Sequence, residues 1–417
     1  MRRYPRWHDT DRNDHGRAGR GPIQPTITTQ ERRRRLGVRH HLALPASTPE
    51  QVARDLVGLH SSDPATVHLS ARARIAGYAP EQLEADLYER RSLLRMLGMR
   101  RTMFVVPRDL AATMDAACTR ALEPGERRRL VRLVTDQGLT DDGEPWVERV
   151  LEQTLAAVRR RGQATATELL EDVPELSLKL RFGEGKSWGG EVGMSTRVLF
   201  LLATQGRIIR ARPLGTWRSS QYRWAATEDW LGGPLPALAA ESARTGLARR
   251  WLASYGPGTL SDLTWWTGWT VARTRSALQA AGAVTVRLPE AEGPEGEGYV
   301  LADDLDPTPD PGPWVALLPS LDSTVMGWQE RAWYLQGLAP ELFDRNGNAG
   351  PTVWSEGVVV GGWAQRADGE VAVRLLADIG TEASATVTDE ADRLRGWLGE
   401  HRVLSRFPSP LEKQLRG

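Results

Sequence analysis

The chain has 417 residues, of which 40% are hydrophobic and 26% charged, and its formal net charge is +1. This composition excludes a disordered or fibrous protein over most of the length, and the length predicts about two to four domains. No apolar run approaches the roughly 20 residues that span a bilayer, and residues 1–21 are too polar and basic for a signal peptide, so we expect a cytoplasmic protein without membrane contact. A single cysteine, Cys118, excludes an internal disulfide, and no Cys/His cluster has metal-ligand spacing, so we expect no metal and no cofactor.

Basic residues are concentrated at the start of the chain. The first 35 residues contain ten arginines, mixed with Asp, Gly, Asn and Pro. Such a segment buries too little apolar surface to fold. We therefore predict a disordered basic arm over residues 1–28, which either contacts a polyanion or only keeps the chain soluble.

From Thr29 onward, short amphipathic helices followed by two strands recur along the chain. The first copy covers residues 29–110 and ends in a strand pair around residues 93–106. Residues 111–145 have the apolar spacing of a helical connector. Helices followed by a hairpin are the winged-helix arrangement, so the recurrence predicts tandem winged-helix units.

The middle copy, residues 146–230, has the clearest pattern. Its predicted helices cover 146–161, 165–170 and 192–205, and its predicted strands cover 207–211 and 221–225. A third copy covers residues 244–301, with helices over 247–255, 260–266 and 271–281 and strands over 284–288 and 299–301.

Residues 302–417 alternate strand-like segments with turns such as Asn346-Gly347-Asn348, and a helix is predicted over 389–398. This pattern indicates a C-terminal β-rich, barrel-like domain. The predicted fold class is therefore α+β, with three tandem winged helix-turn-helix units that form a concave cleft and a C-terminal β-rich domain.

The hairpin of the middle copy combines arginines with aromatic residues. These are Arg207, Arg210, Arg212, Arg218 and Arg223, interleaved with Trp217, Tyr222 and Trp224. An α-helix fits the major groove of a duplex, and a wing that carries arginine can follow the phosphates. The pattern predicts double-stranded DNA as the partner, while an ordinary hairpin with a buried aromatic face remains the alternative.

Several segments, in matching order, carry a resemblance to a known family. They are LVGLHSSDPATVHLSARAR (56–74), RMLGMRRTMFVVP (95–107), DLTWWTGWT (262–270), LLPSLDSTVMGWQERAWYL (317–335), and DRNGNAGPTVW followed by VVGGW (344–363). On these motifs the chain, from about residue 30 to 410, resembles the AlkZ and YcaQ family of bacterial winged-helix DNA glycosylases. The resemblance implies three winged-helix units around a cationic DNA cleft and removal of alkylated bases without metal or cofactor.

The resemblance also implies where the catalytic motif lies. The family signature is Gln, an apolar residue, then Gln or Asp, between Gly-Leu and Asp-Pro; the matching positions are His60, Ser61 and Ser62. Both glutamine positions therefore differ from the family pattern. A family Arg-Gly-Thr motif also differs, and corresponds here to Arg100, Arg101 and Thr102.

Three residues of this segment are the predicted catalytic groups. A neutral His60 can orient a water molecule or accept its proton, and Ser62 can supply a second hydrogen bond. Asp63 can orient the imidazole or favour a cationic sugar. For Asp63 a helix cap before Pro64 is the alternative.

The resemblance implies a monofunctional DNA glycosylase that excises bulky 7-alkylguanine adducts of a natural-product genotoxin, in antibiotic self-resistance. We expect a monomer, associated with the nucleoid, that binds double-stranded DNA carrying the alkylated guanine. The predicted DNA contacts are Arg39, Arg100, Arg101, Arg207, Arg210, Arg212, Trp217, Arg218 and Arg223. The alternative from another class is a catalytically silent winged-helix DNA-binding protein, a regulator or damage sensor, in which both glutamine positions changed as catalysis was lost.

Overall fold

The structure is a computed structural model that describes residues 24–183, 189–289 and 296–417. Most of the predicted basic arm, residues 1–23, lies outside the described residues. The described part combines helices with open antiparallel sheets, which agrees with the expected α+β class.

The first region begins with helices and ends in strands. Its elements are α1 (Thr29–Arg39), α2 (Pro49–Asp55), β1 (Leu59–His60), α3 (Pro64–Arg72), α4 (Pro80–Glu84), β2 (Leu93–Leu97) and β3 (Met103–Pro107). Thr28 and Thr48 cap α1 and α2, because each side chain accepts a hydrogen bond from a backbone N–H of the first turn. The chain turns from α2 into β1 at Gly58, whose φ of +109° suits glycine.

Helices dominate the next region. They are α5 (Arg108–Met114), α6 (Glu123–Asp136), α7 (Gly143–Arg161), α8 (Ala166–Asp172) and α9 (Met194–Thr204), with a hairpin of β4 (Lys179–Phe182) and β5 (Gly190–Gly193) before α9. Thr165 begins α8 as a reciprocal cap, since its hydroxyl accepts from the N–H of Glu168 and its own N–H donates to the Glu168 carboxylate. The predicted helices over 146–161 and 192–205 are present as α7 and α9.

Two further hairpins enclose a helical segment. The hairpins are β6 (Ile208–Pro213) with β7 (Tyr222–Ala226), and β8 (Ala283–Arg287) with β9 (Glu297–Leu301); between them lie α10 (Thr227–Leu231), α11 (Ala240–Tyr255), α12 (Leu260–Thr267) and α13 (Val271–Ala280). Both hairpins were predicted from the alternation of apolar and polar residues. The structure places them within a few residues of the predicted bounds.

The C-terminal region contains strands and helices. They are β10 (Val315–Leu318), α14 (Ala332–Leu335), α15 (Ala339–Leu342), β11 (Thr352–Ser355), β12 (Val358–Gln365), β13 (Val371–Leu375), α16 (Gly380–Leu398) and α17 (Pro410–Arg416). The strands form a sheet in the order β10-β11-β12-β13. Among the described strands β10 and β13 are edges, so this sheet is open, whereas the sequence predicted a barrel-like domain. In the described ranges no helix is long and apolar enough to cross a membrane.

The main sheet joins two regions that were predicted as separate units. Its strand order is β1-β3-β2-β6-β7, so the β6–β7 hairpin extends the sheet of the first region. The junction is the pairing of Arg95 in β2 with Arg210 in β6. The hairpin is therefore held against β2, which β3 separates from the strand β1 that carries His60.

The two faces of this sheet have different roles. His60 is paired with Phe104, which is paired with Met96, and residues directly opposite one another share a face. Arg95 and Arg210 lie on the other face, because successive side chains along a strand alternate. His60 thus points to one face of the sheet and the paired arginines to the other.

A fully buried ion pair connects the first region to the C-terminal region. The guanidinium of Arg74 donates to both carboxylate oxygens of Asp322, at 2.7 and 2.9 Å. Asp322 also accepts from the hydroxyl of Ser70 at 2.6 Å and from the backbone N–H of Thr324 at 2.9 Å. Because the carboxylate has several donors, the charge is compensated inside the fold.

Two buried histidines outside the motif make stability depend on pH. Burial lowers the pKa of both His40 and His68 to about 3, from an ordinary value of 6.5. The folded pKa lies below the unfolded one, so their contribution is fully present above about pH 6.5 and is lost as the pH falls. Between pH 6.5 and 5 we expect the free energy of unfolding to fall by about 1.4 kcal/mol per pH unit for each histidine.

Denaturant unfolding at a series of pH values measures this slope. The variant His68→Gln keeps a polar side chain near the Tyr78 hydroxyl, which lies 2.9 Å from the imidazole Nδ1, but does not titrate. Its slope should be smaller by about one histidine's contribution. An unchanged slope in this variant would contradict the assignment.

Candidate functional site

His60, the last residue of β1, is held in place by backbone and ring contacts. It is 5% exposed, and its ring packs edge-on against Phe104 with the ring centroids 5.3 Å apart. Its backbone N–H donates to the Ser323 hydroxyl at 3.1 Å. The ring Nδ1 is buried and has no hydrogen-bond partner among the described residues. Leaving a buried ring nitrogen without a partner is costly for folding, and this nitrogen is free to take a hydrogen bond from a water molecule or a ligand.

The surroundings of His60 keep its imidazole neutral. Burial, and to a smaller extent the nearby charge of Arg100, lower the pKa of His60 to about 4. A neutral imidazole offers one N–H donor and one lone pair. With this pKa the ring is a weak base at neutral pH, and it is better suited to orient a water molecule through a hydrogen bond.

Ser61 belongs to a different group of residues. Its hydroxyl accepts a hydrogen bond from Arg95 at 2.6 Å, and the same nitrogen of Arg95 donates to the Tyr222 hydroxyl at 2.5 Å. Arg95 thereby connects the motif to the β6–β7 hairpin. Arg95 was not among the predicted site residues, although a single arginine within the apolar run LLRML was a signal for it.

Ser62 and Asp63 follow at the start of α3. Ser62 is half-buried. Asp63 caps α3, since one carboxylate oxygen accepts from the N–H of Ala65 and the other from the N–H of Arg406, each at 3.0 Å. Burial raises the pKa of Asp63 above its ordinary value. The cap that was the alternative for Asp63 is confirmed, and both its oxygens are directed at backbone N–H groups rather than at the imidazole.

Arg100 lies near His60 and stacks on an aromatic ring. Its guanidinium carbon lies 3.8 Å from the ring centroid of Trp265, and Arg331 approaches the same ring at 4.6 Å. Burial and the charge of Arg331 lower the pKa of Arg100 to about 10. Nε of Arg100 is buried without a partner in the described chain. Because two cations lie on one ring beside the motif, this position favours the binding of an anion.

Trp265 belongs to the segment DLTWWTGWT and Arg331 to the segment LLPSLDSTVMGWQERAWYL. Trp265 is partly exposed and Arg331 is partly buried. Arg331 does stabilise the fold, since its Nε donates to the Trp328 carbonyl at 2.7 Å. The cationic face that they form with Arg100 brings together residues from three separate segments, so no local pattern indicated it.

The β6–β7 hairpin forms one wall of a cavity. Arg210 lies between the rings of Tyr222 and Trp224, with its guanidinium carbon 4.8 and 4.5 Å from their centroids. Residues of α8 and α9 form the opposite wall, and the cavity has a volume of about 670 Å³. Arg101 lies at its edge, 39% exposed, and pairs with the buried Glu126.

The prediction of a DNA-contacting Trp217 is wrong in this structure. The ring is 7% exposed and packs against His68, Trp397 and His401. These contacts join the hairpin loop to the C-terminal region. Apolar burial therefore accounts for Trp217, as the ordinary-hairpin alternative proposed for the aromatic residues.

Most other predicted DNA contacts already have partners within the protein. Arg39 pairs with Asp304 at 2.6 Å, Arg207 with Glu152 at 2.5 Å, Arg212 with Glu84 at 3.3 Å and Glu89 at 3.5 Å, and Arg218 donates to the Arg402 carbonyl at 2.7 Å. Arg223 is partly exposed on β7 and lines a separate open pocket with Arg91 and Arg161. Ion pairs at the surface contribute little, so those of Arg207 and Arg212 can be exchanged for phosphate contacts at small cost.

Among the described residues, no group of His, Cys, Asp and Glu side chains could hold a metal ion. Cys118 is buried, and burial raises the pKa of its thiol to about 12. Its thiol is therefore a poor nucleophile at neutral pH.

Comparison with known proteins places this arrangement in a family. The family model described as DNA glycosylase AlkZ-like matches residues 53–397, which include the His60 motif and the main sheet. Among solved structures, the Streptomyces sahachiroi DNA glycosylase AlkZ is similar with a TM-score of 0.65 and 19% sequence identity, over 92% of this chain and 99% of that chain. No curated protein sequence matches significantly. The chain therefore belongs to the AlkZ-like family of DNA glycosylases.

Proposed function

We propose that this protein is a monofunctional DNA glycosylase that hydrolyses the N-glycosidic bond of a bulky 7-alkylguanine in duplex DNA. The observation that supports this most is the neutral, buried His60, with an unpartnered Nδ1, at the first glutamine position of the family motif. Such a group can hold a water molecule without a metal ion. We infer that the lesion comes from a natural-product genotoxin and that the protein serves in antibiotic self-resistance.

The chemistry requires little from the enzyme beyond positioning. Alkylation at ring nitrogen 7 gives guanine a positive charge, so the base leaves readily without protonation, and the sugar develops oxocarbenium character. His60 orients the attacking water, and Ser62 supplies a second hydrogen bond. Asp63 is tied to backbone N–H groups, so its contribution is to fix the start of α3 and to place negative charge near the developing cation.

The DNA is proposed to lie in a cleft formed by three winged-helix units of a monomer. Arg100, stacked on Trp265 beside His60, is placed to hold a phosphate next to the lesion. Arg101, the chain neighbour of Arg100, and the partly exposed Arg223 add to this basic surface. Arg207 and Arg212 join it by exchanging their carboxylate partners for phosphates.

One observation favours a second candidate function. Both family glutamine positions are replaced, as expected for a catalytically silent DNA-binding protein that senses damage or regulates. The two functions differ in their products, since a glycosylase leaves an abasic site and a silent binder leaves the adduct intact.

A single-turnover assay separates the two. A duplex with one bulky 7-alkylguanine is incubated with excess protein, and alkali-cleavable abasic sites are counted. We expect strand cleavage at the adduct that depends on the protein. Tight binding of several such duplexes without abasic sites would assign the protein to the silent class.

Arg100→Ala should weaken duplex binding uniformly across sequences. A phosphate contact adds about one unit to the slope of log affinity against log salt, so the slope should fall by about one. Fluorescence anisotropy with a labelled duplex at several salt concentrations measures this. Arg395→Ala, at an exposed position in the last turn of α16 in the C-terminal region, is the matched control. If both variants had the same salt slope as the unaltered protein, Arg100 would not contact phosphate.

A further inference from the structure

The cavity between the β6–β7 hairpin and α8–α9 has the composition of a site for a small aromatic molecule. Its walls combine aliphatic and aromatic side chains: Leu97, Met103, Leu199, Phe200, Leu214, Tyr222 and Trp224. With a volume of about 670 Å³ it is large enough for several fused rings. It lies on the face of the sheet that carries Arg210, opposite to the face of His60.

The charged side chains that line this cavity differ in whether they have a partner within the protein. Arg101 pairs with Glu126. The carboxylate of Glu168 accepts the N–H of Thr165 at 2.6 Å as part of the cap of α8. The guanidinium of Arg210, in contrast, has no hydrogen bond or ion pair within residues 24–183, 189–289 and 296–417, and its Nε is buried. A cation between two rings and without a carboxylate favours an anionic partner from outside the protein.

We propose that this cavity binds a planar aromatic group that carries an acidic oxygen, with the rings against Phe200 and Leu199 and the oxygen at Arg210. The group comes either from a free small molecule or from the non-nucleotide part of a DNA adduct. The proposal does not depend on glycosylase activity, because binding at Arg210 is measured without turnover.

Two fluorescent probes that differ in one group test the proposal. 1-Anilinonaphthalene-8-sulfonate and N-phenyl-1-naphthylamine have the same rings, and only the first has an anionic group. We expect the intact protein to bind the sulfonate at least about 10-fold more tightly, the effect of one charge-assisted hydrogen bond. Arg210→Met should remove this preference and leave the affinity for the neutral probe unchanged. Phe200→Ala should weaken both probes, and Arg273→Met neither.

Equal affinities of the intact protein for the two probes would overturn the proposal, as would an unchanged sulfonate affinity in Arg210→Met. Circular dichroism of each variant shows that the fold is retained.

Competition then identifies the source of the ligand. Displacement of the sulfonate by a duplex with an aromatic guanine adduct, but not by the same undamaged duplex, assigns the site to the lesion. Displacement by neither assigns it to a free molecule, and displacement by the undamaged duplex would show that Arg210 contacts the DNA backbone and contradict the proposal.

Discussion

His60→Ala is expected to lower the single-turnover rate of base excision by at least about 100-fold, because the positioned water loses its hydrogen-bond partner. The affinity for duplex DNA should be retained, since the cationic groups that favour phosphate, Arg100 and Arg331, are unchanged. The measurement is the rate of abasic-site formation beside an equilibrium binding assay with the same duplex.

Two further variants show whether the effect comes from the imidazole itself. His60→Gln restores a side chain that can orient water, and it should recover part of the rate. His41→Ala, at a partly exposed histidine that pairs with Asp55 at 2.7 Å, should excise the base as the unaltered protein does. Equal rates for His60→Ala and the unaltered protein would exclude His60 from the reaction and leave the water to other groups.

Asp322→Ala is expected to destabilise the fold more than any other single change discussed here. It leaves the guanidinium of Arg74 buried without its counter-charge, which costs about 3–5 kcal/mol of unfolding free energy. Urea denaturation followed by tryptophan fluorescence measures this loss. The effect should be present at neutral pH, because the hydrogen bonds and the charge of Arg74 hold the pKa of Asp322 below its ordinary value despite burial.

The matched control removes both charges. In Arg74→Met combined with Asp322→Leu no charge is left unpaired, so the loss of stability should be smaller than in Asp322→Ala alone. If the double variant were the less stable of the two, the ion pair itself, and not the orphaned cation, would be the stabilising element.

The local elements of this protein were accessible from the sequence. The apolar spacing of α7 and the alternation in the β6–β7 hairpin depend on residues close together in the chain, so their patterns can be recognised directly. The cap at Asp63 was also foreseen as an alternative, because an Asp-Pro pair is a local signal for the start of a helix.

The strand pairing in the sheet that positions the site could not be predicted from local patterns. Arg95 and Arg210 are adjacent across β2 and β6 although they are far apart in the chain, and nothing in either segment specifies the other as its partner. The prediction that Trp217 contacts DNA was wrong for the same reason, because its partners lie far away in the chain. Its burial depends on Trp397 and His401, which arrive from the C-terminal region.

The sequence by itself determined the helices, the hairpins, the family motif and the place of His60 within it, since all of these depend on residue type and local spacing. Only the tertiary structure decided which charges remain without partners. Arg207 and Arg212 pair with carboxylates, whereas Arg100 and Arg210 lie against aromatic rings and pair with no carboxylate in the part of the chain that the structure describes. The physical reason is that desolvation and ion pairing depend on every element packed around a group, and those elements are brought together only when the chain folds.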